Sequence, residues 1–194
     1  MALEEIRAFI AVELPDRIKL SLSTIQAELK ANKARAQWVA PNSIHLTLKF
    51  LGDISVASIP DVTRVMEEAA FGIAGFRLAV RGLGVFPDVR RMRVVWAGVT
   101  GDTDVLARLQ KGLDLELAAL GFAPESRPFT AHLTLARLRD DASPADRQNI
   151  GRLVSQASFE AGDFAVESVN LMRSQLTREG AIYTRLATIS LERA

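Results

Sequence analysis

The chain has 194 residues, 48% of them hydrophobic and 24% charged, which is typical of a globular protein with a substantial core. It contains no cysteine, and this excludes disulfides, thiolate nucleophiles and zinc-thiolate sites. The 24 basic and 23 acidic side chains leave a net charge of +1, whereas a protein that holds a long stretch of nucleic acid by counterion release would usually have a stronger basic excess. If the ligand is RNA, a terminus or small fragment fits this charge better. There is no signal-peptide pattern and no apolar run near the ~20 residues of a membrane helix, so we expect no membrane association and a cytoplasmic location.

The first half of the chain predicts strand, long helix, strand, short helix and strand. Near-continuous apolar residues predict a buried strand over residues 7–13. Pro15 then opens a helix, and the polar run 31–37 ends it. Residues 44–51 and 76–85 read as strands on either side of a helix at about 59–70. The apolar stripe of the long helix consists of Ile18, Leu22, Ile25 and Leu29.

The second half predicts the same order of elements. A strand over 93–99 precedes a helix that begins at Asp102 or Thr103 and closes at Gly121. A strand over 131–138 follows, and then a helix whose capping signal is Ser143 with Asp146. Two strands, around 164–171 and 183–191, finish the chain. The stripe of the long helix consists of Leu106, Leu109, Leu113, Leu117 and Leu120.

The repeated order predicts a bilobal α+β fold. Phe9 precedes His45 by 36 positions, and Val94 precedes His132 by 38, so the two copies have nearly equal spacing. We expect two pseudo-symmetric lobes of mainly antiparallel sheet, with helices outside and a cleft between the lobes. No Pro/Gly/Ser-rich linker separates the halves, and residues 1–194 are therefore expected to form a single domain.

The only two histidines open the same tetrapeptide, His-Leu-Thr-Leu, at His45 and at His132. Side chains on a strand alternate between its two faces, so each histidine shares a face with the threonine two residues later, Thr47 or Thr134. If the two lobes face each other, two imidazoles and two hydroxyls converge on one cleft.

That set of groups suits the hydrolysis of a cyclic phosphodiester. One histidine can take a proton from water while the other protonates the departing ribose oxygen. The threonine hydroxyls can donate to the non-bridging oxygens. Lys49 shares the parity of His45 and could add positive charge, whereas strict alternation puts Arg137 on the face opposite to His132.

The histidines have three other possible roles, namely a structural role, a metal site and a place in a Ser-His-Asp triad. Single histidines on strands are usually structural, but two identical motifs that hold all the histidines favour catalysis. A metal site would need more ligands at fixed spacing, for which only Asp53 and Asp140 are distant candidates, and no metal is expected. A Ser-His-Asp hydrolase would require a Gly-x-Ser-x-Gly elbow, which the sequence lacks.

At these residues the sequence resembles the 2H phosphoesterase superfamily, and within it the RNA 2′,3′-cyclic phosphodiesterases, also called the 2′-5′ RNA ligase family. The likeness covers nearly the whole chain. It is carried by residues 7–12, 38–39, 45–52, 84–87, 95–96, 127–129, 132–137 and 176–183. Ala131 is a departure, since many relatives have proline before the second histidine.

The resemblance implies a cofactor-free hydrolase that opens the 2′,3′-cyclic phosphate at RNA 3′ ends to a 2′-phosphomonoester and that can also join ends through a 2′-5′ linkage. His45 and His132 become the acid and base, with His45 assigned as the acid for the leaving oxygen and His132 as the base for water. Thr47 and Thr134 become phosphate ligands, and Arg137 a phosphate contact. The partner is expected to be an RNA 3′ end or a small cyclic-phosphate nucleotide, bound by a monomer.

Aromatic side chains near the motifs could stack on the terminal base. Phe50, Phe86 and Trp38 are the candidates, with Phe50 assigned to substrate binding; the competing interpretation places all three in the core. Two rival functions also remain. One is a 2H phosphoesterase that acts on another cyclic or 2′-5′ phosphodiester, and the other is a non-catalytic module that binds RNA ends.

Overall fold

The computed structural model describes residues 4–31, 35–177 and 180–192. Within these ranges it contains nine strands and four α-helices. The strands are β1 (Glu5–Glu13), β2 (Ala36–Trp38), β3 (His45–Ser55), β4 (Phe76–Phe86), β5 (Val94–Gly101), β6 (His132–Leu138), β7 (Glu160–Val166), β8 (Ser168–Thr177) and β9 (Gly180–Ser190). The helices are α1 (Asp16–Lys30), α2 (Ile59–Ala70), α3 (Thr103–Ala119) and α4 (Pro144–Gln156).

The strands form two antiparallel sheets, and this confirms the predicted α+β class. One sheet has the order β3-β1-β8-β9 and the other β2-β6-β5-β4-β7. Helices α2 and α3 contact the four-stranded sheet, while α1 and α4 contact the five-stranded sheet. None of the helices in the described ranges is long and apolar enough to cross a membrane.

The two halves of the chain exchange elements, which the sequence did not predict. Strand β4 belongs to the first half but pairs with β5 of the second. Strand β8 belongs to the second half but pairs with β1 of the first. The long helices also cross over, because α1 packs near β7 and α3 near β3. Each sheet is therefore built from both halves.

Two strand predictions were wrong in detail. Residues 36–38, which include the end of the predicted polar connection, form β2 and pair with β6. The single strand predicted at 164–171 is divided between β7 and β8, which lie in different sheets. The apolar pattern runs across this division because Phe164 and Val166 are buried in one sheet, while Val169 and Leu171 are buried in the other.

Helix capping agrees with the prediction at one helix and differs at another. Ser143 Oγ accepts from the backbone N–H of Asp146 at 3.1 Å, and the Asp146 carboxylate accepts from the N–H of Ser143 at 2.9 Å, which completes a capping box. Asp102 precedes α3 but makes no side-chain cap. Its carboxylate accepts instead from the N–H of Arg77 at 2.8 Å and so joins the helix start to β4.

The hydrophobic core lies behind the sheets that form the cleft and holds them in place. The buried faces of both sheets and of all four helices form one large apolar cluster. Helix α1 contributes its whole predicted stripe, and α3 contributes its stripe except for Leu120, which follows the helix and is 37% exposed. A smaller cluster of Phe9, Ala11 and Met172 lies apart from it, with Tyr183 packed against it. Truncating a fully buried leucine such as Leu109 to alanine would cost about 2–5 kcal/mol, so the sheets behind the cleft are firmly held.

Candidate active site

A cleft of about 660 Å³ lies between the two sheets and contains both histidine motifs. His45 and Thr47 reach it from β3, and His132 and Thr134 reach it from β6. In each motif the histidine and threonine are partly exposed while the two leucines are buried, as strand alternation predicts. The structure thus brings together the four side chains that the duplicated motif suggested.

Both imidazoles are fixed by the same backbone contact. His45 Nδ1 lies 2.9 Å from the carbonyl oxygen of Ser43, and His132 Nδ1 lies 2.7 Å from that of Thr130. A carbonyl oxygen can only accept, so Nδ1 carries the proton in both rings. In the neutral form each Nε2 then has a free lone pair, and in the charged form it has a proton to give.

Aromatic rings surround His45. Phe9 stacks on the imidazole with ring centroids 4.6 Å apart, and Tyr183 meets it edge-on at 5.1 Å. Burial lowers the pKa of His45, while the hydrogen bond to Ser43 and the negative charge of Glu13 act in the opposite direction. The neutral imidazole is therefore favoured in the free protein.

His132 has a different neighbourhood. Phe86 meets its ring edge-on at 5.0 Å, and Phe86 in turn packs against Trp96 at 5.1 Å. Phe86 thus lies at the cleft, as one of the three aromatic candidates for stacking. Trp38 does not line the cleft; it is half-buried on β2, with the Lys30 ammonium 5.5 Å from its ring centroid.

A β-bulge interrupts both motif strands at the same place. Register shifts leave Leu48 as an extra residue of β3 and Leu135 as an extra residue of β6, each the fourth residue of its motif, and β3 has a second extra residue at Leu51. Beyond each bulge the faces are inverted. Arg137 therefore points into the cleft, and the expectation that it lies on the face opposite to His132 is wrong.

The same inversion changes the prediction for Lys49. Lys49 does not share the face of His45; its side chain is only 2% exposed, and Phe50 turns outward instead. The Lys49 ammonium donates to the Asp114 carboxylate and, at 2.6 Å, to the carbonyl of Ala123. Lys49 therefore borders the cleft with its charge already paired.

Arg137 of β6 and Tyr183 of β9 line the cleft from different sheets and interact electrostatically. Burial raises the pKa of the Tyr183 phenol, and the positive charge of Arg137 acts in the opposite direction. Tyr183 thus remains protonated at neutral pH and can donate a hydrogen bond. In the described part of the chain, no group of three or more His, Asp or Glu side chains is arranged to hold a metal ion.

Several cleft residues were not singled out as site residues by the sequence reasoning. Arg7 and Phe9 reach the cleft from β1, Arg127 from the loop before β6, and Tyr183 from β9. Arg7 and Phe9 are two residues apart and therefore lie on one face of β1. The alternation of faces could have indicated this, but the nearly continuous apolar residues of the strand gave no sign of which face meets the cleft. Arg178 and Glu179, within the stretch 176–183 that carried the resemblance, lie outside the described residues.

Two segments of the chain, residues 12–96 and 99–183, match the model of the LigT-like phosphoesterase family. The chain belongs to this family. His45 stands 33 residues after the start of the first segment (45 − 12), and His132 stands 33 residues after the start of the second (132 − 99). The family match thus reproduces the internal repeat, with the two histidines at corresponding positions.

Two named relatives and a solved structure agree with this assignment. The chain is 36% identical to the RNA 2′,3′-cyclic phosphodiesterase of Methanothermobacter thermautotrophicus, over 96% of this chain and 100% of the relative. It is 34% identical to the protein of the same name from Aquifex aeolicus, over 92% and 94%. The crystal structure of E. coli LigT complexed with 3′-AMP superimposes with a TM-score of 0.80 at 28% identity and covers 98% of this chain and 100% of that one.

Proposed function

We propose that this phosphoesterase hydrolyses the 2′,3′-cyclic phosphate at RNA 3′ ends to a 2′-phosphomonoester, with His45 and His132 as its acid and base. The observation that carries the proposal is that both imidazoles line one cleft with Nδ1 bound to a backbone carbonyl and Nε2 available. The names of the two relatives supply the substrate class.

In the proposed reaction one Nε2 accepts a proton from water as the water oxygen attacks phosphorus. The bond from phosphorus to O3′ breaks, and the other Nε2 gives its proton to O3′. The products are a 2′-phosphate and a free 3′-hydroxyl, and each histidine ends in the protonation state with which the other began. A proton transfer afterwards restores the pair.

The hydroxyls of Thr47 and Thr134 are proposed to donate to the non-bridging oxygens, whose charge increases in the transition state. Arg137 is proposed to bind the same phosphate, since the bulge at Leu135 directs its guanidinium into the cleft. Lys49 contributes positive charge at the cleft wall only through its paired ammonium.

The deciding experiment is hydrolysis of an oligonucleotide ended by a 2′,3′-cyclic phosphate, in excess EDTA, with the 2′- and 3′-phosphate products resolved. We expect the wild type to produce the 2′-phosphate. His45→Ala and His132→Ala should each lower kcat by at least roughly 100-fold, the lower end of the range for a general acid or base. Circular dichroism should show an unchanged fold.

If the wild type hydrolyses the substrate and the histidine variants lose hydrolysis but still bind RNA, the histidines serve catalysis and not binding. That result would rule out the non-catalytic binding module. Activity that persists in either histidine variant would refute the two-histidine mechanism. A substrate panel that also contains cyclic mononucleotides and 2′-5′ dinucleotides tests the rival phosphodiester substrates.

Ligation follows from the same proposal. The histidine that takes a proton from water in hydrolysis can instead take it from the 5′-hydroxyl of a second RNA end, whose oxygen then attacks phosphorus. The bond from phosphorus to O3′ breaks, the other histidine protonates O3′, and the retained 2′-phosphoryl bond gives a 2′-5′ linkage. Incubation of a cyclic-phosphate end with a 5′-hydroxyl RNA, followed by digestion with a 3′-5′-specific nuclease, would reveal a resistant junction if ligation occurs.

We further propose that the enzyme works as a cytoplasmic monomer in which residues 1–194 act as one domain. The support is that one chain supplies both histidines and both threonines, so the cleft needs no second copy. Sedimentation of the active protein at the mass of one 21.2 kDa chain would agree with this proposal. Activity confined to a dimer would contradict it.

A further inference from the structure

One end of the cleft carries an exposed aromatic ring. Phe50 is 60% exposed although it is a large apolar side chain on a central stretch of β3. The bulge at Leu48 directs it outward, at the position where the corresponding bulge in β6 directs Arg137. The two lobes thus present different chemistry at equivalent places, a cation from one and an aromatic ring from the other.

The ring of Phe50 continues an aromatic surface that begins at His45. Phe9 stacks on His45 at 4.6 Å, and the Phe50 ring lies 6.2 Å from Phe9. Thr47 lies three residues before Phe50, which on a strand corresponds to about 10 Å. Phe50 is therefore displaced from the phosphate site along the cleft.

Two arginines that line the cleft come from segments next to β3. Arg7 follows the same face of β1 as Phe9, which pairs directly with Phe50. Arg127 comes from the loop before β6, and Lys49 holds that loop against β3 through the Ala123 carbonyl and, at 3.9 Å, the Glu125 carboxylate. Both guanidinium groups belong to exposed residues that line the cleft.

These two positive charges are not neutralised within the described structure. Among residues 4–31, 35–177 and 180–192, no carboxylate forms an ion pair with Arg7 or Arg127. Of the acidic residues near them, Glu125 is 3.9 Å from Lys49 and Glu4 is 3.9 Å from Arg173, while Asp53 lies opposite Arg7 on β3 without forming an ion pair with it. Proteins commonly bind single-stranded nucleic acid with an exposed aromatic side chain, on which a base stacks, and nearby arginines, which bind phosphates.

We propose that this end of the cleft is a subsite for the nucleotide on the 5′ side of the terminal one, with its base stacked on Phe50 and its phosphates bound by Arg7 and Arg127. The inference rests on the proposed function and narrows it, since it makes an RNA of two or more nucleotides the preferred substrate over a cyclic mononucleotide. A single exposed apolar side chain is ordinary in itself. Phe71, 85% exposed after α2 and outside the cleft lining, lacks these surroundings and serves as the control.

The test compares kcat/KM for a cyclic-phosphate-ended trinucleotide with kcat/KM for the cyclic mononucleotide. Phe50→Ala should lower the ratio of the two values by roughly 5- to 100-fold, the range that stacking of one base on an aromatic side chain accounts for. Phe50→Trp should restore most of the ratio. Phe71→Ala should leave the ratio as in the wild type.

The arginines are tested through salt dependence. Arg7→Gln and Arg127→Gln should each reduce the slope of log KM for the trinucleotide against log salt by about 0.7, the value for one phosphate contact on a single strand. Arg108→Gln, an exposed arginine of α3 outside the cleft lining, should leave the slope unchanged.

A ratio that Phe50→Ala does not lower, or that Phe71→Ala lowers equally, would overturn the subsite. Fluorescence anisotropy with a 2′-phosphate-ended trinucleotide separates this failure from failure of the proposed function, because it needs no turnover. If the wild type hydrolyses nothing but Phe50→Ala weakens RNA binding, the subsite stands and the hydrolase proposal falls. If neither turnover nor binding responds, the subsite is rejected.

Discussion

Leu48 and Leu135 are the bulged residues of corresponding strands, and each is the fourth residue of a His-Leu-Thr-Leu motif. The bulges leave His45 and His132 facing the cleft while they invert the faces of the residues that follow. They thereby decide that Arg137 enters the cleft, that Lys49 is buried and that Phe50 is exposed. The chemistry of the cleft depends on these two local irregularities as much as on the motifs.

A buried glutamine side chain donates a hydrogen bond to the bulged residue of β6. Gln26 of α1 is fully buried, and its Nε2 donates to the carbonyls of Leu135 at 2.9 Å and Val39 at 2.8 Å. Gln26→Met keeps the volume but leaves the Val39 carbonyl without this donor, so we expect a loss of about 1–3 kcal/mol in the free energy of unfolding. Urea titration measures it, with Gln156→Met, an exposed glutamine of α4, as control.

If Gln26 positions Arg137 through the bulge, Gln26→Met should also raise KM more than it lowers kcat under conditions where the variant is fully folded. Unchanged kinetic constants in a destabilised variant would show that Gln26 stabilises the fold without positioning the site.

The paired charge of Lys49 gives a second prediction. Lys49→Met removes one partner of a buried ion pair and leaves Asp114, 17% exposed, without its cation, which should cost about 3–5 kcal/mol of stability. The double variant Lys49→Met with Asp114→Leu should recover most of this loss, because no buried unpaired charge remains and the Glu125 carboxylate, which also loses its cation, is 47% exposed. Both are measured by chemical denaturation.

Kinetics of the double variant separate the two roles of Lys49. If its ammonium only anchors the loop that precedes β6, restored stability should be accompanied by restored turnover. Persistent loss of kcat in a fully stable double variant would assign Lys49 to the substrate phosphate, as the sequence alone suggested.

The threonine hydroxyls give a third prediction. Thr47→Val and Thr134→Val keep the shape of the side chain and remove the donor to the phosphate oxygens. Each should lower kcat by roughly 100-fold, within the range for loss of one transition-state hydrogen bond. Thr24→Val, on the exposed surface of α1, is the matched control and should leave kcat unaltered. If the substitutions raise KM and leave kcat unchanged, the hydroxyls bind the substrate equally in the ground state and the transition state.

A fourth prediction concerns pH and uses Glu13, whose charge raises the pKa of His45 against the larger effect of burial. Glu13→Gln should therefore move the pKa of His45 further down. If His45 acts as the acid, the alkaline limb of the kcat/KM profile moves to lower pH, since an acid is lost as pH rises through its pKa. If it acts as the base, the acidic limb moves instead.

The assignment of His45 as acid would be contradicted by a shift confined to the acidic limb. Glu13 also accepts from Asn170 at 2.9 Å and from Arg185 at 2.8 Å, so Asn170→Ser provides a control that loosens this contact without changing charge. It should leave both limbs in place.

Sequence reasoning reached the repeat, the fold class and the convergence of four motif side chains, because period-two alternation holds from His45 to Leu48 and from His132 to Leu135. It failed one residue later. A bulge inserts a residue without any change in apolar pattern, so Lys49 and Arg137 were each assigned to the wrong face.

The remaining differences concern contacts between distant segments. Residues 36–38 become a strand because β6 offers an edge to pair with, which local composition cannot reveal. The division between β7 and β8 is likewise not visible in the sequence, because both strands bury apolar residues up to either side of Glu167. Tyr183 contacts His45 although β9 and β3 are the two edge strands of the four-stranded sheet. The sequence does not indicate this contact, because it depends on how the sheet brings these strands together.

The exchange of β4 and β8 between the halves has a consequence for how this architecture can be divided. A fragment that ends before β5 would keep the β1–β3 pair but would contain neither of the strands that pair with β4. The complementary fragment would keep the β8–β9 pair but would lack β1, the other neighbour of β8. Neither fragment could close a sheet unaided, yet two such fragments would complete each other. The internal repeat is thus related to a strand-swapped pair joined into one polypeptide, not to two self-sufficient modules placed in tandem.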